Sequence, residues 1–333
     1  MKFGFGTKPS EHYQRYIKLV QFAESLGFDN AWVPDQTFFR DPYAILAALA
    51  FSTKNIHLGI GVTNPNTRHP VMAARAIATL EEMAPGRVLL GIGAGNNKEL
   101  LNPLGLDVSH AGDKCREMAE IVRALLTGEI VEYKGRYFQA SGIKMDFKTN
   151  PDIPIYIAGR GPFVLQSAGE VADGAIVGGL CTSSGIAYAI NQITIGANKT
   201  ARDPKGMEIV SWVTVNVTED RDKGLEDLKP VVAHIIGGAP DVVLEASGLD
   251  STLVNQIKST YFKEGIPQAA RYVTADCIDA FTIVGDGPDC VRRIKALEEA
   301  GITQLAMLMP PGTHEQQMRY LKSFADSVIP YFK

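Results

Sequence analysis

Short apolar segments alternate with longer amphipathic segments along most of the chain. The apolar segments are nearly continuous rather than alternating, which is typical of parallel strands buried on both faces. Eight such strands are predicted, over Lys2–Gly6, Asp29–Val33, Ile56–Val62, Arg87–Gly93, Ile153–Ala158, Gly174–Gly178, Ile209–Val217 and Thr303–Met309. Apolar residues at helical spacing predict helices between them, over His12–Leu26, Tyr43–Phe51, Val71–Met83, Asp113–Leu126, Phe163–Ala172, Gly185–Thr200, Pro288–Ala300 and His314–Ile329.

This strand-then-helix order predicts an α/β protein, a (β/α)8 TIM barrel that occupies residues 1–333 as a single domain. Two insertions interrupt it. The first, about 128–152, has alternating polar and apolar residues around Lys134-Gly135 and predicts a hairpin. The second, about 219–275, has a helical and polar pattern without a clear strand. An open doubly wound sheet is the alternative, but no GxGxxG motif opens the first helix.

Composition and charge exclude several classes of protein. The chain has 333 residues, 45% of them hydrophobic, so it can bury a large core. Its net charge of −4 argues against nucleic-acid binding, and no apolar run is long enough to span a membrane. The first residues have no continuous apolar region and no cleavage signature, so we expect no signal peptide. The four cysteines are far apart, which favours free thiols in the cytoplasm over disulfides or a zinc site.

The ends of the predicted strands are rich in glycine and small polar residues. In a barrel these ends meet at one mouth, where ligands bind. Together the glycines favour a bed for a flat cofactor, although each alone could be an ordinary turn glycine. Few carboxylates lie there, which argues against paired-acid glycoside hydrolysis, against a metal site and in favour of an organic cofactor.

Three strand-end segments have more specific interpretations. Ala158-Gly159-Arg160-Gly161 precedes a helix, so its backbone N–H groups and its arginine could bind an anion; Arg160 could also be a surface residue. Asp35 could orient a ligand amide or cap the next helix. His69 could be a general acid, but capping or packing at the start of a helix is favoured.

Several motifs in this order resemble the bacterial-luciferase-like flavin and deazaflavin oxidoreductases. They are FDNAWVPDQ (28–36), GVTNPNTRHP (61–70), GRVLLGIGAGN (86–96), IPIYIAGRGP (153–162), AGEVADGAIVGG (168–179) and FTIVGDGPDCVRRIKALEEAGITQL (281–305). Within the family, the start MKFGFG, the TNPNTRHP loop and GGAPDVVLEASGL (237–249) are most similar to the methylenetetrahydromethanopterin reductases, which use the deazaflavin coenzyme F420.

The resemblance implies a homodimer or higher homo-oligomer and a cofactor over the end of the third strand. Family members have a non-prolyl cis peptide there, which here would be Gly61–Val62. The resemblance places the cofactor phosphate near Gly159–Gly161 and Gly178-Gly179. The cofactor-binding candidates are Asp35, Gly61, Val62, Thr63, Asn64, Gly93, Asn96, Ala158, Gly159, Arg160, Gly161, Gly178 and Gly179.

Three positions depart from what the resemblance implies. Gly6 and Asn96 stand where the pterin reductases have carboxylates, and Gln36 stands where sugar-phosphate enzymes of the family have a histidine. We therefore expect Asn96, Gln36 and Thr63 to act as polar orienters of a substrate.

The expected function is F420-dependent hydride transfer to or from a small organic substrate. A methylene-tetrahydropterin of one-carbon metabolism is the nearest substrate, and an imine, an enone or an alcohol is also open. The alternatives are an FMN-dependent monooxygenase of the same fold and, in a different class, a barrel that binds cofactor without catalysis.

Overall fold

Strands and helices alternate along the chain as the apolar pattern predicts. The computed structural model describes residues 1–36, 38–95, 100–107 and 109–332. The strands are β1 Lys2–Gly6, β2 Asn30–Val33, β3 His57–Thr63, β4 Val88–Gly93, β5 Val131–Lys134, β6 Gln139–Ile143, β7 Ile155–Gly159, β8 Gly174–Gly178, β9 Glu208–Val217, β10 Thr282–Gly285 and β11 Gln304–Leu308.

Thirteen α-helices lie among these strands in the described residues. They are α1 Tyr13–Ser25, α2 Pro42–Ser52, α3 Pro70–Met83, α4 Ala111–Leu126, α5 Pro162–Val171, α6 Ser183–Lys199, α7 Arg221–Gly238, α8 Asp241–Ala246, α9 Ser251–Glu264, α10 Ile266–Ala269, α11 Ala275–Phe281, α12 Gly287–Glu299 and α13 His314–Ser327.

The architecture is an α/β TIM barrel, which confirms the predicted fold class. All eight predicted strands are present as β1 to β4, β7 to β9 and β11. The first insertion contains the antiparallel hairpin β5–β6, and the second is helical from α7 to α11. The short strand β10 was missed; it pairs parallel to the end of β9, with Thr282 opposite Thr214.

The chain divides into two compact units, which are described separately. The larger comprises Gly6–Ile176 and Gln192–Glu208. In it β2, β3, β4 and β7 pair in that order, all parallel. Trp32, 1% exposed, fills the space above Gly59, because a Cβ at Gly59 would lie only 2.3 Å from the indole ring. The edge of this indole meets the Tyr156 ring at 5.3 Å.

The other unit comprises Met1–Phe5, Val177–Asn191 and Ile209–Lys333. In it β9 pairs with β11 along its first half and with β10 at its end. Phe3 packs edge-on against the rings of Phe324 and Phe332, with centroids 5.5 and 5.3 Å away. Buried aromatic contacts of this kind anchor the first strand and the last helix in one core.

Candidate active site

The end of β3 has an irregular backbone. The Gly61–Val62 peptide bond is cis, as predicted, and the pairing of β3 with β4 shifts register between Ile60 and Thr63. The Val62 side chain lies against two glycines of β4. A Cβ at Gly91 would be 2.8 Å, and one at Gly93 2.4 Å, from the Val62 methyl groups. Glycine in β4 therefore accommodates this bulge of β3.

Thr63, the last residue of β3, is fully buried and connects two strand ends. Its hydroxyl donates a hydrogen bond to Oδ2 of Asp35, just beyond β2, at 2.8 Å. The same oxygen lies 3.5 Å from Nε of Arg68, and the Asp35 side chain is 15% exposed. The alternative that Asp35 caps α2 is wrong, because Asp41 is the N-cap and accepts a hydrogen bond from the Ala44 N–H.

Arg68 joins this pair to the start of α2. Its NH2 group lies 3.2 Å from Oδ2 of Asp41, and its guanidinium stacks over the Tyr43 ring at 4.1 Å. Burial raises the pKa of Tyr43 to about 12, so this phenol stays protonated at neutral pH. One arginine thus holds two carboxylates from different segments.

Asn64 presents an oriented amide at the same end of β3. Its Oδ1 accepts the backbone N–H of Asn66 at 2.7 Å, which fixes the orientation of the carboxamide. Its Nδ2 is buried and has no hydrogen-bond partner among the described residues. It lies beside Gly95, where φ is +82° and a Cβ would be 2.0 Å away. A buried unsatisfied donor costs free energy, so this N–H favours a polar ligand atom next to it.

Lys114 of α4 connects the loop after β3 to the segment that contains Asp107. Its ammonium donates to Asn66 Oδ1 and to the Asp107 carbonyl, each at 3.0 Å, and to Asp107 Oδ2 at 3.2 Å. Hydrogen bonds from Ser109 and from Lys114 lower the pKa of Asp107 to about 2. Lys114 is only 7% exposed. Sequence reasoning missed it, because a lysine in an amphipathic helix usually faces solvent.

The hairpin of the first insertion packs onto this loop. Buried Glu117 accepts the backbone N–H groups of Arg136, Tyr137 and Phe138 at 2.8 to 2.9 Å. The Phe138 ring meets the ring of His69 edge-on at 5.7 Å. His69 caps α3 by accepting the Val71 N–H at 3.3 Å, which confirms the capping interpretation.

The predicted anion loop lies between β7 and α5. Ala158 and Gly159 end the strand, Gly161 is the N-cap, and Pro162 is the first helical residue. The first N–H groups of a helix have no intrahelical acceptor, so they are available to an anion. Burial lowers the pKa of Arg160, which follows Gly159 directly. Both Gly159 and Gly93 are also packing glycines, since a Cβ at Gly159 would lie 2.6 Å from Val164.

The remaining predicted residues have separate locations. Gly178 ends β8, and Gly179 has φ +58° and donates its N–H to the Trp212 carbonyl at 2.8 Å. Gln36 follows Asp35, and its Oε1 is buried without a partner in the described part of the chain. Asn96 lies outside the described residues. The functional roles of all these residues remain predictions.

The chemistry of the larger unit suits an organic ligand. Amide, hydroxyl and backbone donors follow β2, β3 and β7, and the Asp35 carboxylate accepts the hydroxyl of Thr63 at the end of β3. No group of histidine, cysteine or acidic residues that could hold a metal ion occurs in the part of the chain that was searched. The fold is a TIM barrel, and these residues form a candidate site for an organic ligand at the ends of β2, β3 and β7.

The chain belongs to the luciferase-like monooxygenase family, whose model matches residues 2–304. It is 35% identical over 337 residues to 5,10-methylenetetrahydromethanopterin reductase of Archaeoglobus fulgidus, with 100% of both chains covered.

Two solved structures are similar. The coenzyme F420 dependent tetrahydromethanopterin reductase from Methanopyrus kandleri has a TM-score of 0.88 and 31% identity, covering 100% of this chain and 99% of that one. An F420-dependent secondary alcohol dehydrogenase in complex with an F420–acetone adduct shares the fold, with a TM-score of 0.80, 22% identity and 100% coverage of both chains.

Proposed function

We propose that the protein is a coenzyme F420-dependent oxidoreductase that transfers a hydride between the deazaflavin and a carbon atom of an organic substrate. The structural observation that carries the proposal is at the end of β3, where the oriented Asn64 amide has a buried N–H group without a partner among the described residues. Similarity over the full length to a solved reductase that is named for coenzyme F420 supports the same cofactor.

The residues present fit a deazaflavin. Its ring edge carries carbonyl oxygens, which suit the Asn64 N–H group that has no partner in the described part of the chain. Its side chain carries a phosphate, which matches the glycine loop before α5. The residues proposed to hold the cofactor are Asp35, Gly61, Val62, Thr63, Asn64, Gly93, Asn96, Ala158, Gly159, Arg160, Gly161, Gly178 and Gly179.

When bound, the deazaflavin supplies or accepts the hydride at C5 of its ring. The protein's own part is to position the substrate and exclude water. We propose that the polar side chains of Gln36, Thr63 and Asn96 orient the substrate. A methylene-tetrahydropterin is the favoured substrate class, which places the enzyme in one-carbon metabolism; an imine, an enone or a secondary alcohol is the alternative.

The first test is a binding titration with coenzyme F420, in which quenching of the F420 fluorescence reports binding. FMN is tested as the competing cofactor. We expect saturable F420 binding and much weaker FMN binding. Asn64→Asp, which replaces the donor by an acceptor of the same shape, should weaken F420 binding by about tenfold or more. Asn255→Asp on the exposed face of α9 is the matched control and should bind F420 like the wild type.

The same titration tests the second candidate, an FMN-dependent monooxygenase, which the family's name favours. Tight FMN binding with negligible F420 binding would replace the proposed function by that one. F420 binding without any hydride exchange would favour a non-catalytic cofactor-binding barrel, an alternative motivated by the absence of acids at Gly6, Gln36 and Asn96.

We further propose that residues 1–333 act as one barrel domain in a cytoplasmic homo-oligomer. The family match over nearly the whole length supports one domain. All four cysteines are free, as expected in a reducing compartment.

Helix α2 is apolar on its outer side too, where Ala44 is exposed and Phe51 is 78% exposed, which favours a contact with a second copy. Among the described residues, none of the helices could cross a membrane.

A further inference from the structure

The orientation of the Asn64 carboxamide decides what this side chain offers to a ligand. If the group were turned over about its Cβ–Cγ bond, a carbonyl oxygen would stand where the N–H group now lies. The hydrogen bond from the Asn66 backbone N–H to Asn64 Oδ1, at 2.7 Å, holds the present orientation. The position of the Asn66 backbone therefore controls which atom of Asn64 faces a ligand.

Asn64 and Asn66 belong to one tight turn after β3. The Asn64 carbonyl accepts the backbone N–H groups of Thr67 and Arg68 at 3.2 and 3.0 Å, so the residues of this turn are coupled through its backbone. Asn64 is only 2% exposed, whereas Asn66 is partly accessible to solvent. A contact that fixes Asn66 from outside the turn therefore also fixes the buried carboxamide.

Lys114 supplies such a contact from α4. Its ammonium donates to Asn66 Oδ1 at 3.0 Å and to two oxygens of Asp107, the backbone carbonyl at 3.0 Å and Oδ2 at 3.2 Å. An ammonium group has three N–H donors, and three acceptors surround it here. Lys114 thus has no donor left for a ligand, and it can act on one only through Asn66.

The surroundings of Lys114 strengthen this contact. Lys114 is 7% exposed, and a hydrogen bond from a charged donor gains strength when the donor is buried. Its partner Asp107 is fixed in turn, because Ser109 donates its backbone N–H at 2.9 Å and its hydroxyl at 2.5 Å to the carboxylate. The ammonium also lies 5.7 Å from the centre of the Tyr137 ring. Lys114 is therefore a fixed connection between Asp107 and the turn after β3.

We propose that Lys114 is a positioning residue for the cofactor, which acts through Asn66 to direct the Asn64 N–H group at a ring oxygen of the deazaflavin. This inference rests on the proposed function. It requires that Lys114 contributes to cofactor affinity only while residue 64 has a carboxamide to orient. A lysine that merely stabilised the fold would contribute equally with and without that carboxamide.

The test is a double-mutant cycle on the affinity for coenzyme F420, measured by quenching of the F420 fluorescence. Lys114→Met and Asn64→Ala are made separately and together. Lys199→Met is the matched control, because Lys199 also donates to an amide oxygen, Gln166 Oε1 at 2.7 Å, and to a carboxylate, Glu170 Oε1 at 3.0 Å, but both partners lie in α5. Melting temperatures establish that each variant is folded at the temperature of the titration.

We expect Lys114→Met to raise the Kd for F420 by about fivefold in the wild-type background and to leave it unchanged in the Asn64→Ala background. Lys199→Met should bind F420 like the wild type. Asn66→Asp keeps an oxygen acceptor for the ammonium and should bind F420 nearly as well as the wild type. Asn66→Leu removes that acceptor and should reproduce the effect of Lys114→Met, and it completes the cycle if Lys114→Met does not fold.

An equal increase in Kd in the two backgrounds would overturn the positioning role and leave Lys114 as a residue that stabilises the fold. An unchanged Kd in Lys114→Met would overturn it as well. In both cases the proposed function would stand, because the wild type binds F420. A wild type that does not bind F420 would refute the proposed function and this inference together.

Discussion

Single glycines decide how the end of β3 can be built. The sequence suggested that glycines at the strand ends leave room for a ligand, but the space beside Gly91 and Gly93 is filled by Val62. The packing of Gly93 against Val62 was therefore not predicted, and its role in binding a cofactor stays a prediction. No local pattern in β4 reveals that its glycines face a bulge of the neighbouring strand, because that contact depends on the register of the pair.

Gly93→Ala tests this packing role. A Cβ at position 93 would lie 2.4 Å from Val62, so either strand must shift. We expect the free energy of unfolding to fall by about 1–3 kcal/mol, as in other overpacked cores, and F420 binding to weaken. Urea denaturation followed by circular dichroism measures the first effect.

Gly238→Ala is the matched control, because nothing lies within 4 Å of a Cβ at that helical position. It should be neutral or stabilise by up to about 1 kcal/mol. Equal free energies of unfolding for the two variants would show that the β3 bulge accommodates a larger residue at position 93 at little cost.

At the scale of elements, the apolar pattern was sufficient for the barrel and the hairpin. Continuous apolar strands such as Ile155–Gly159 and the turn at Lys134-Gly135 are local signals. The strand β10 was not predicted, because Thr282 follows Phe281 of α11 with no turn residue between them. The hydrogen bonds made by Lys114 and Glu117 were not predicted either, because each side chain joins segments that are distant in sequence.

Glu117→Gln tests how the hairpin is fixed to α4. Glu117 is 2% exposed and accepts three backbone N–H groups, so replacing its charge should lower the free energy of unfolding by about 1–3 kcal/mol. Hydrogen exchange at Arg136–Phe138 should also become faster.

Glu132→Gln is the comparison within the same hairpin. Glu132 is exposed and accepts from the Gly142 N–H and the Ser141 hydroxyl, so the same substitution should cost less than about 1 kcal/mol. Equal exchange rates at Arg136–Phe138 in the two variants would contradict the proposed anchoring role of Glu117.

At the scale of the whole molecule, the surface of α2 is the feature that the fold alone leaves unexplained. A helix on the outside of a barrel normally has a polar outer face, yet Ala44, Ala47, Ala48 and Phe51 of α2 all retain exposure. In the homo-oligomer proposed above, a second copy of the chain would cover these residues. Sequence patterning located the helix but could not show which side faces outward.

Phe51→Glu tests this surface by placing a charge where the partner would pack. We expect the apparent mass in analytical ultracentrifugation to fall to that of a monomer. Phe262→Glu on α9 is the control, since Phe262 is 66% exposed and lies in the helical insertion. If the Phe51→Glu variant had the same apparent mass as the wild type, α2 would be excluded as the surface that contacts a second copy.

The contact between Phe138 and His69 has a consequence for how substrate preference can evolve in this enzyme. The hairpin reaches the loop that follows β3 without contributing a strand to the barrel. Substitutions in the hairpin can therefore alter the loop while the parallel sheet keeps its register. A library randomised at hairpin positions around Phe138 and selected for new substrates should yield stable variants with altered preference more often than one randomised in β3 or β4.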